Sequence, residues 1–66
     1  MNPLVKEVRT QRRGRKISQM DVASRVGVHV DTIVAWEKGE SSPVLNNFQA
    51  LIHALGGRLT IEWASK

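Results

Sequence analysis

The chain has 66 residues, a formal net charge of +4 and no cysteine. A chain of this length forms one small domain of marginal stability, and the lack of cysteine excludes a disulfide framework and a thiolate metal site. No apolar run approaches the roughly 20 residues that cross a bilayer, and no apolar signal-peptide core follows the N-terminus, so we expect a cytoplasmic protein without a membrane partner.

The first predicted helix extends from about Pro3 to Arg13 and belongs to a strongly basic segment. Pro3 suits a first helical turn, Asn2 is a suitable N-cap, and Gly14 is predicted to end the helix in the left-handed conformation. Six of the ten basic residues precede Ser18, against one acidic residue. This excess favours a polyanionic partner, although a solubilising surface explains the same charge.

Two short helices are predicted next, from Ser18 to Val26 and from about Val30 to Lys38. Only Gly27-Val28-His29 separates them. Three residues force a sharp corner, and a pair of helices of this size around such a corner is typical of the helix-turn-helix that binds DNA. Ile33 and Trp36 are predicted to face the core.

A fourth helix is predicted from about Leu45 to Leu55, after a loop of Glu40-Ser41-Ser42-Pro43. Its predicted apolar face consists of Leu45, Phe48, Leu51, Ile52 and Leu55. Gly56-Gly57 then breaks the helical pattern.

The segment 58–63 changes to an alternating pattern, with Leu59, Ile61 and Trp63 on one face, and this predicts a β-strand. A lone strand has no partner within this chain. We therefore predict that it pairs antiparallel with the same strand of a second copy, so that these three residues mediate a homodimer. The alternative is a loose extension that packs Trp63 on its own core.

Many positions at fixed spacing resemble the Cro/phage-repressor (XRE-type) helix-turn-helix family over about residues 4 to 56. They are Ser18-Gln19, Val22-Ala23, Val26-Gly27-Val28, Thr32-Ile33, Trp36-Glu37 and Gly39, followed by Pro43 and Ala54-Leu55-Gly56. The resemblance implies a mainly α, four-helix domain over residues 1–66, with the helix-turn-helix at about 18–39. Most relatives continue with a fifth helix, whereas a C-terminal strand is predicted here, as in some small plasmid, phage and antitoxin-type regulators.

The resemblance also implies roles for individual residues. Arg12 and Glu37 are expected to form a structural ion pair, and Gln19 to anchor its helix and bind phosphate. The expected base-contacting residues are His29, Val30, Asp31, Val34 and Ala35. The expected phosphate-contacting residues are Gln19, Thr32, Lys38, Ser41 and Ser42.

This recognition helix is unusually apolar, because relatives often carry polar residues where Val30, Val34 and Ala35 occur. Such side chains can contact thymine methyl groups, and Asp31 can accept a hydrogen bond from cytosine N4. We therefore expect a thymine-containing half-site whose recognition also depends on DNA shape and phosphate contacts. The competing interpretation is that the valine-rich face binds a protein.

We predict a sequence-specific regulator of transcription that binds double-stranded DNA, a repressor or autoregulator that recognises an inverted-repeat operator as a homodimer. The alternative is an antitoxin-like or anti-activator module that binds a protein such as a toxin or another regulator. RNA binding is third, because no sheet with stacking aromatics is predicted. We find no catalytic constellation and no cofactor motif, and His29 and His53 lack a third metal ligand, so we predict neither an enzyme nor a metal site.

Overall fold

Four α-helices form the domain in the computed structural model, which describes residues 3–64. They are α1 (Pro3–Gly14), α2 (Gln19–Val26), α3 (Val30–Lys38) and α4 (Leu45–Ala54). The four predicted helices are confirmed, and Ser18 lies just outside α2 as its N-cap. Asn2, the predicted cap of α1, lies outside the described residues.

One apolar core joins the helices, with α2 packed against α3 and α4, and α1 packed against α3. Ile33 and Trp36 of α3 are buried in it, as predicted. The other buried apolar residues are Val5 and Val8 of α1, Val22 and Ala23 of α2, Leu51 of α4, and Leu55 directly after α4. Every helix contributes to this single core. The packing of α2 on α4 and of α3 on α1 therefore fixes the angle between α2 and α3.

The corner between α2 and α3 is built from local hydrogen bonds that the sequence indicates. Ser18 caps α2, because its hydroxyl accepts a hydrogen bond from the Asp21 amide at 3.0 Å. Gly27 has φ +87°, the left-handed conformation that glycine adopts at little cost. The amides of Gly27 and Val28 both donate to the Ala23 carbonyl, at 2.8 and 3.0 Å. These contacts end α2 and turn the chain within three residues.

All four helices end with the same backbone closure, in which an amide donates to the carbonyl five residues earlier. The donor–acceptor pairs are Ile17–Arg12, Val28–Ala23, Glu40–Ala35 and Gly57–Ile52. A left-handed glycine precedes the donor in three cases, but in α1 this residue is Lys16, with φ +58°. The prediction that Gly14 takes this conformation is therefore wrong: Gly14 is still helical, and the bond from Ile17 to Arg12 places the turn two residues later.

The apolar face of α4 is only partly covered. Leu51 and Leu55 are buried and Phe48 and Ile52 are half-buried, but Leu45 is 71% exposed. The expectation that Leu45 packs inward is wrong, because Leu45 lines an open surface groove with Leu4, Pro43 and Phe48. The apolar pattern there predicts burial that residues 3–64 do not provide for Leu45.

No β-strand is present among residues 3–64, and the backbone of residues 58–64 makes no hydrogen bond to this part of the chain. Leu59 is half-buried, whereas Ile61 is 75% and Trp63 83% exposed. The alternative in which Trp63 packs on its own core is therefore absent from this structure. Pairing of the segment with a second chain stays a prediction.

Two glycine-to-alanine substitutions separate the left-handed glycine from the helical one. A β-carbon added to either Gly27 or Gly14 would meet no atom within 4 Å, so only the backbone conformation distinguishes the two positions. We expect Gly27→Ala to lower the free energy of unfolding by about 1–2 kcal/mol. Gly14→Ala should raise it by about 0.5–1 kcal/mol, because alanine is favoured within a helix. Urea denaturation checks both, and equal effects would contradict the assignment.

Candidate nucleic-acid interface

A buried ion pair links the first helix to the end of the third. Arg12 Nε donates to Glu37 Oε2 at 2.7 Å, and Arg12 Nη2 donates to Glu37 Oε1 at 2.9 Å. Arg12 Nη1 also donates to the Ile17 carbonyl at 2.8 Å. Both residues are among the buried positions. One guanidinium therefore connects α1, α3 and the segment that leads into α2, in the planar two-bond geometry that makes arginine–carboxylate pairs strong.

The start of α2 joins the same carboxylate. Gln19 Nε2 donates to Glu37 Oε1 at 3.0 Å, and Arg9 Nε lies 3.8 Å from that oxygen. Gln19 thus holds α2 to α3 directly, which is the anchoring role that the resemblance implies. One of the two amide hydrogens is used in this bond, so the other can still donate outward.

Burial by itself raises the pKa of Glu37, but other effects outweigh it. Hydrogen bonds from Arg12 and Gln19, and then the positive charges of Arg12 and Arg9, favour the ionised form, so the pKa is lowered from its ordinary value. The carboxylate is therefore charged at neutral pH.

The N-terminal end of α3 carries the two most exposed of the five predicted base-contacting side chains. The His29 and Asp31 side chains are 74% and 87% exposed. Val34 and Ala35 are half-buried, and Val30 is partly buried against the core. Val30 therefore has a packing role as well, and His29 and Asp31 are the most solvent-exposed of the five.

The hydrogen bonds of His29 indicate which ring nitrogen carries the proton. His29 caps α3, because its Nδ1 accepts a hydrogen bond from the Asp31 amide at 3.1 Å. In a neutral imidazole with Nδ1 as the acceptor, the proton is on Nε2. This assignment follows from the hydrogen-bond network. The start of α3 therefore offers an N–H donor on His29 beside the carboxylate acceptor of Asp31, whose Oδ2 lies 3.5 Å from His29 Nδ1.

The predicted phosphate-contacting residues lie at the start of α2, within α3 and in the loop that follows α3. Lys38, Ser41 and Ser42 are exposed at and after its C-terminal end, while Thr32 is half-buried. The structure brings Lys38 and Gln19 together around one surface depression, which is also lined by Arg9, Val34 and Glu37. A lysine and a polar amide thus share one side of the corner.

Two arginines matter here that sequence reasoning did not assign to a site. Arg9 lies three residues before Arg12 on α1, so the two side chains share one face of the helix. This spacing was a signal that Arg9 would also lie near Glu37. Arg25 forms an ion pair with Asp21 at 3.0 Å and also donates to the Ala54 carbonyl at 3.0 Å. The second contact ties α2 to the end of α4, and no local pattern indicates it.

A helix-turn-helix family model, that of the XRE-type family of Cro and the phage repressors, matches residues 8–61. The chain therefore belongs to this family, whose members are DNA-binding regulators. Among curated proteins, no sequence matches the chain significantly. Within residues 3–64, no helix is long and apolar enough to span a membrane, and no cluster of three potential metal ligands occurs.

Breaking the buried ion pair should destabilise the domain far more than removing a neighbouring exposed arginine. We expect Arg12→Met to lower the free energy of unfolding by about 3–5 kcal/mol, because it leaves the Glu37 carboxylate buried without its main partner. The matched control is Arg13→Met, which changes an exposed residue of the same helix and should have an effect within about 0.5 kcal/mol. Urea denaturation measures both, and similar losses would contradict the role of the pair.

The lowered pKa of Glu37 predicts a loss of stability in acid. This contribution is complete above the ordinary glutamate pKa of about 4.3 and is lost as the pH falls through the lower pKa of the folded protein. Unfolding free energies measured between pH 7 and pH 3 should therefore fall more steeply for the native chain than for Glu37→Gln. The other carboxyl groups are common to both proteins, so parallel curves would show that Glu37 is not responsible.

Proposed function

We propose that this chain is a sequence-specific regulator of transcription that binds an inverted-repeat operator in double-stranded DNA as a homodimer. The main support is the corner between α2 and α3, which is held from inside by Glu37 and presents His29 and Asp31 at the start of α3. A family that binds DNA places this helix in the major groove. A domain of this size acts most simply as a repressor or autoregulator, by covering DNA that polymerase needs.

In this proposal the start of α3 contacts base edges by hydrogen bonds. Asp31 accepts from cytosine N4, and the Nε2–H of His29 donates to a base acceptor or a phosphate. Val34 and Ala35 contact thymine methyl groups further along α3. Val30 contributes less, because part of its surface already packs on the core.

Phosphate contacts supply the affinity that does not depend on sequence. The proposed donors are Gln19, Thr32, Lys38, Ser41 and Ser42, and Arg9 joins them because it lines the same depression as Lys38. Each phosphate that a cation neutralises releases counterions, so binding should weaken steeply as salt rises. Two copies related by a two-fold axis would place their α3 helices about 34 Å apart, in successive major grooves.

A protein-binding role is the second candidate, and one surface favours it. Leu4 and Leu45, which are 60% and 71% exposed, line a groove with Pro43 and Phe48. Val44, next to Leu45, is 66% exposed. An apolar surface of this kind suits a protein partner such as a toxin or another regulator. Ser42, one of the proposed phosphate contacts, also lines this groove, so the two candidate surfaces are adjacent.

Footprinting with purified protein on the DNA upstream of its own gene tests the main proposal. We expect protection of a palindromic site at modest salt, with an affinity that falls as salt rises. A folded dimer that protects no site there, and that enriches no common sequence from a random duplex library, would contradict the proposal. Capture of a stoichiometric protein partner together with that failure would favour the second candidate.

Substitutions in the proposed interface should separate base contacts from phosphate contacts. Asp31→Ala should relax base preference at one position of each half-site, with a loss of about 1–3 kcal/mol in discrimination there. Lys38→Ala should weaken all duplexes alike and reduce the salt slope by about 1 per half-site. The control, Lys6→Ala, changes an exposed lysine outside the proposed contacts and should keep the native preference. A loss of preference with Lys38→Ala but not with Asp31→Ala would contradict these roles.

A further inference from the structure

An apolar groove lies between α1 and the C-terminal half of α4. Val8 and Leu55 are buried in it and Ile52 is half-buried, while Gly57 and Arg58 line its end. The C-terminal segment 57–63 therefore starts at the edge of this groove. The same segment carries two large exposed apolar side chains, on Ile61 and Trp63.

The first residues of this segment already have one face directed to the domain. A side-chain carbon added to Gly57 would lie 3.1 Å from Ile52 Cγ2, so this position faces α4. Leu59 is half-buried, whereas Arg58 and Thr60 are exposed. If the alternation continues, the odd-numbered residues 57, 59, 61 and 63 share the face that is directed to the helices.

From this geometry we infer a specific register for the dimer and a specific occupant for the groove. Segment 57–63 pairs antiparallel with the same segment of a second copy, with Thr60 opposite the partner's Thr60, and the Trp63 of each copy fills the groove of the other. The inference rests on the homodimer of the proposed function and adds which residues meet.

The shared apolar face of the odd-numbered residues and the pairing of opposite charges select this register. Directly opposite residues in an antiparallel pair project to the same face, so odd positions must oppose odd positions to bury one apolar face. Centring on Thr60 places Arg58 opposite the partner's Glu62, twice by symmetry, and Leu59 opposite the partner's Ile61. Centring on Ile61 instead would place Glu62 opposite Thr60 and leave both charges without an opposite partner.

The same register brings the partner's Trp63 opposite Gly57, at the end of the groove. The Ile52 Cγ2 methyl group occupies the space beside Gly57, so the ring would pack on that methyl group, and an aromatic side chain across from a strand glycine is a stabilising arrangement. Glu7 and Gln11 also line the groove, and their oxygens can accept the indole N–H, which needs a partner when it is buried.

The hydrogen bond of Gly57 is compatible with this pairing. The Gly57 amide already donates to the Ile52 carbonyl at 3.0 Å, so Gly57 and the partner's Trp63 must form a non-hydrogen-bonded pair. Because the two kinds of pair alternate, the central Thr60 pair and the Arg58–Glu62 pairs then exchange backbone hydrogen bonds. Those amides have no partner among residues 3–64.

Cysteine cross-linking without DNA tests the register, because the chain has no cysteine of its own. Two Thr60 residues would have Cα atoms about 5.5 Å apart, within the range of a disulfide. Two Ile61 residues would be diagonal neighbours about 7–8 Å apart, beyond that range. We expect Thr60→Cys dimers to cross-link under mild oxidation and Ile61→Cys not to. Cross-linking of Ile61→Cys, or none in a Thr60→Cys chain that sediments as a dimer, would overturn the register.

Sedimentation equilibrium of full-length variants tests the occupant of the groove. Trp63→Ala should raise the dimer dissociation constant at least about 30-fold, as expected for an aromatic residue central to an interface. Trp63→Phe should keep it within about tenfold, and Met20→Ala, which truncates another exposed apolar residue, should leave it unchanged. Arg58→Glu and Glu62→Arg should each weaken the dimer, and combining them should restore it. An unchanged constant for Trp63→Ala overturns the proposal.

Nuclear Overhauser effects in a dimer of labelled and unlabelled chains locate Trp63 directly. We expect contacts from its ring to the methyl groups of Val8 and Ile52 in the other copy, and contacts to Leu45 instead would overturn the groove assignment. A chain that stays monomeric at all concentrations overturns the pairing whether or not it binds DNA. A dimer with the expected cross-link that binds no duplex supports the pairing and contradicts the proposed function.

Discussion

The orientation of the third helix depends on one buried carboxylate. Glu37 receives two hydrogen bonds from Arg12 and one from Gln19, and these three residues belong to α3, α1 and α2. A buried carboxylate without such partners would be strongly unfavourable, so the three helices are stable only in arrangements that keep them close to it. The pair therefore contributes less as a source of net stability than as a constraint on geometry. The orientation of α3 matters more than net stability if this helix enters the major groove of DNA, as the proposed function requires.

At the other end of α3, the His29 side chain both stabilises the helix and is proposed to contact DNA. His29 uses Nδ1 to cap the helix, and this leaves Nε2–H directed away from the capping bond. The cap thus selects the tautomer that a base or phosphate acceptor would meet. Asp31 provides the capped amide and, through its carboxylate, the neighbouring acceptor. The donor and acceptor groups at the start of α3 are in this way a consequence of how the helix starts.

Three exposed apolar residues depart from the burial that their sequence patterns predict. Leu45 in the first turn of α4, and Ile61 and Trp63 in the C-terminal segment, follow apolar patterns that predict burial, yet all three are exposed in one chain. A chain of 66 residues has too little interior to cover every apolar face that its sequence specifies. Association with a second chain is one way in which small domains bury such apolar faces. Pairing through the C-terminal segment would cover two of these residues and set the distance between the two α3 helices.

The four helices and the corner between α2 and α3 were predictable from the amino-acid sequence, because their signals are local. Ser18 and Gly27 act through bonds within one turn, and the apolar period that buries Ile33 and Trp36 needs only neighbouring residues. The resemblance to the family, in addition, indicated Glu37 as the partner of Arg12.

Features that join distant segments, or that depend on what covers them, emerged only from the packing of the helices. One local feature was also missed: Lys16 adopts the left-handed conformation beside the bond from the Ile17 amide to the Arg12 carbonyl, although glycine content alone pointed to Gly14. The approach of Arg9 to Glu37 and the exposure of Leu45 depend on how helices far apart in sequence are arranged. Local chemistry sets where each helix begins and ends, but the competition among helices for a small core decides which of their side chains remain available for binding.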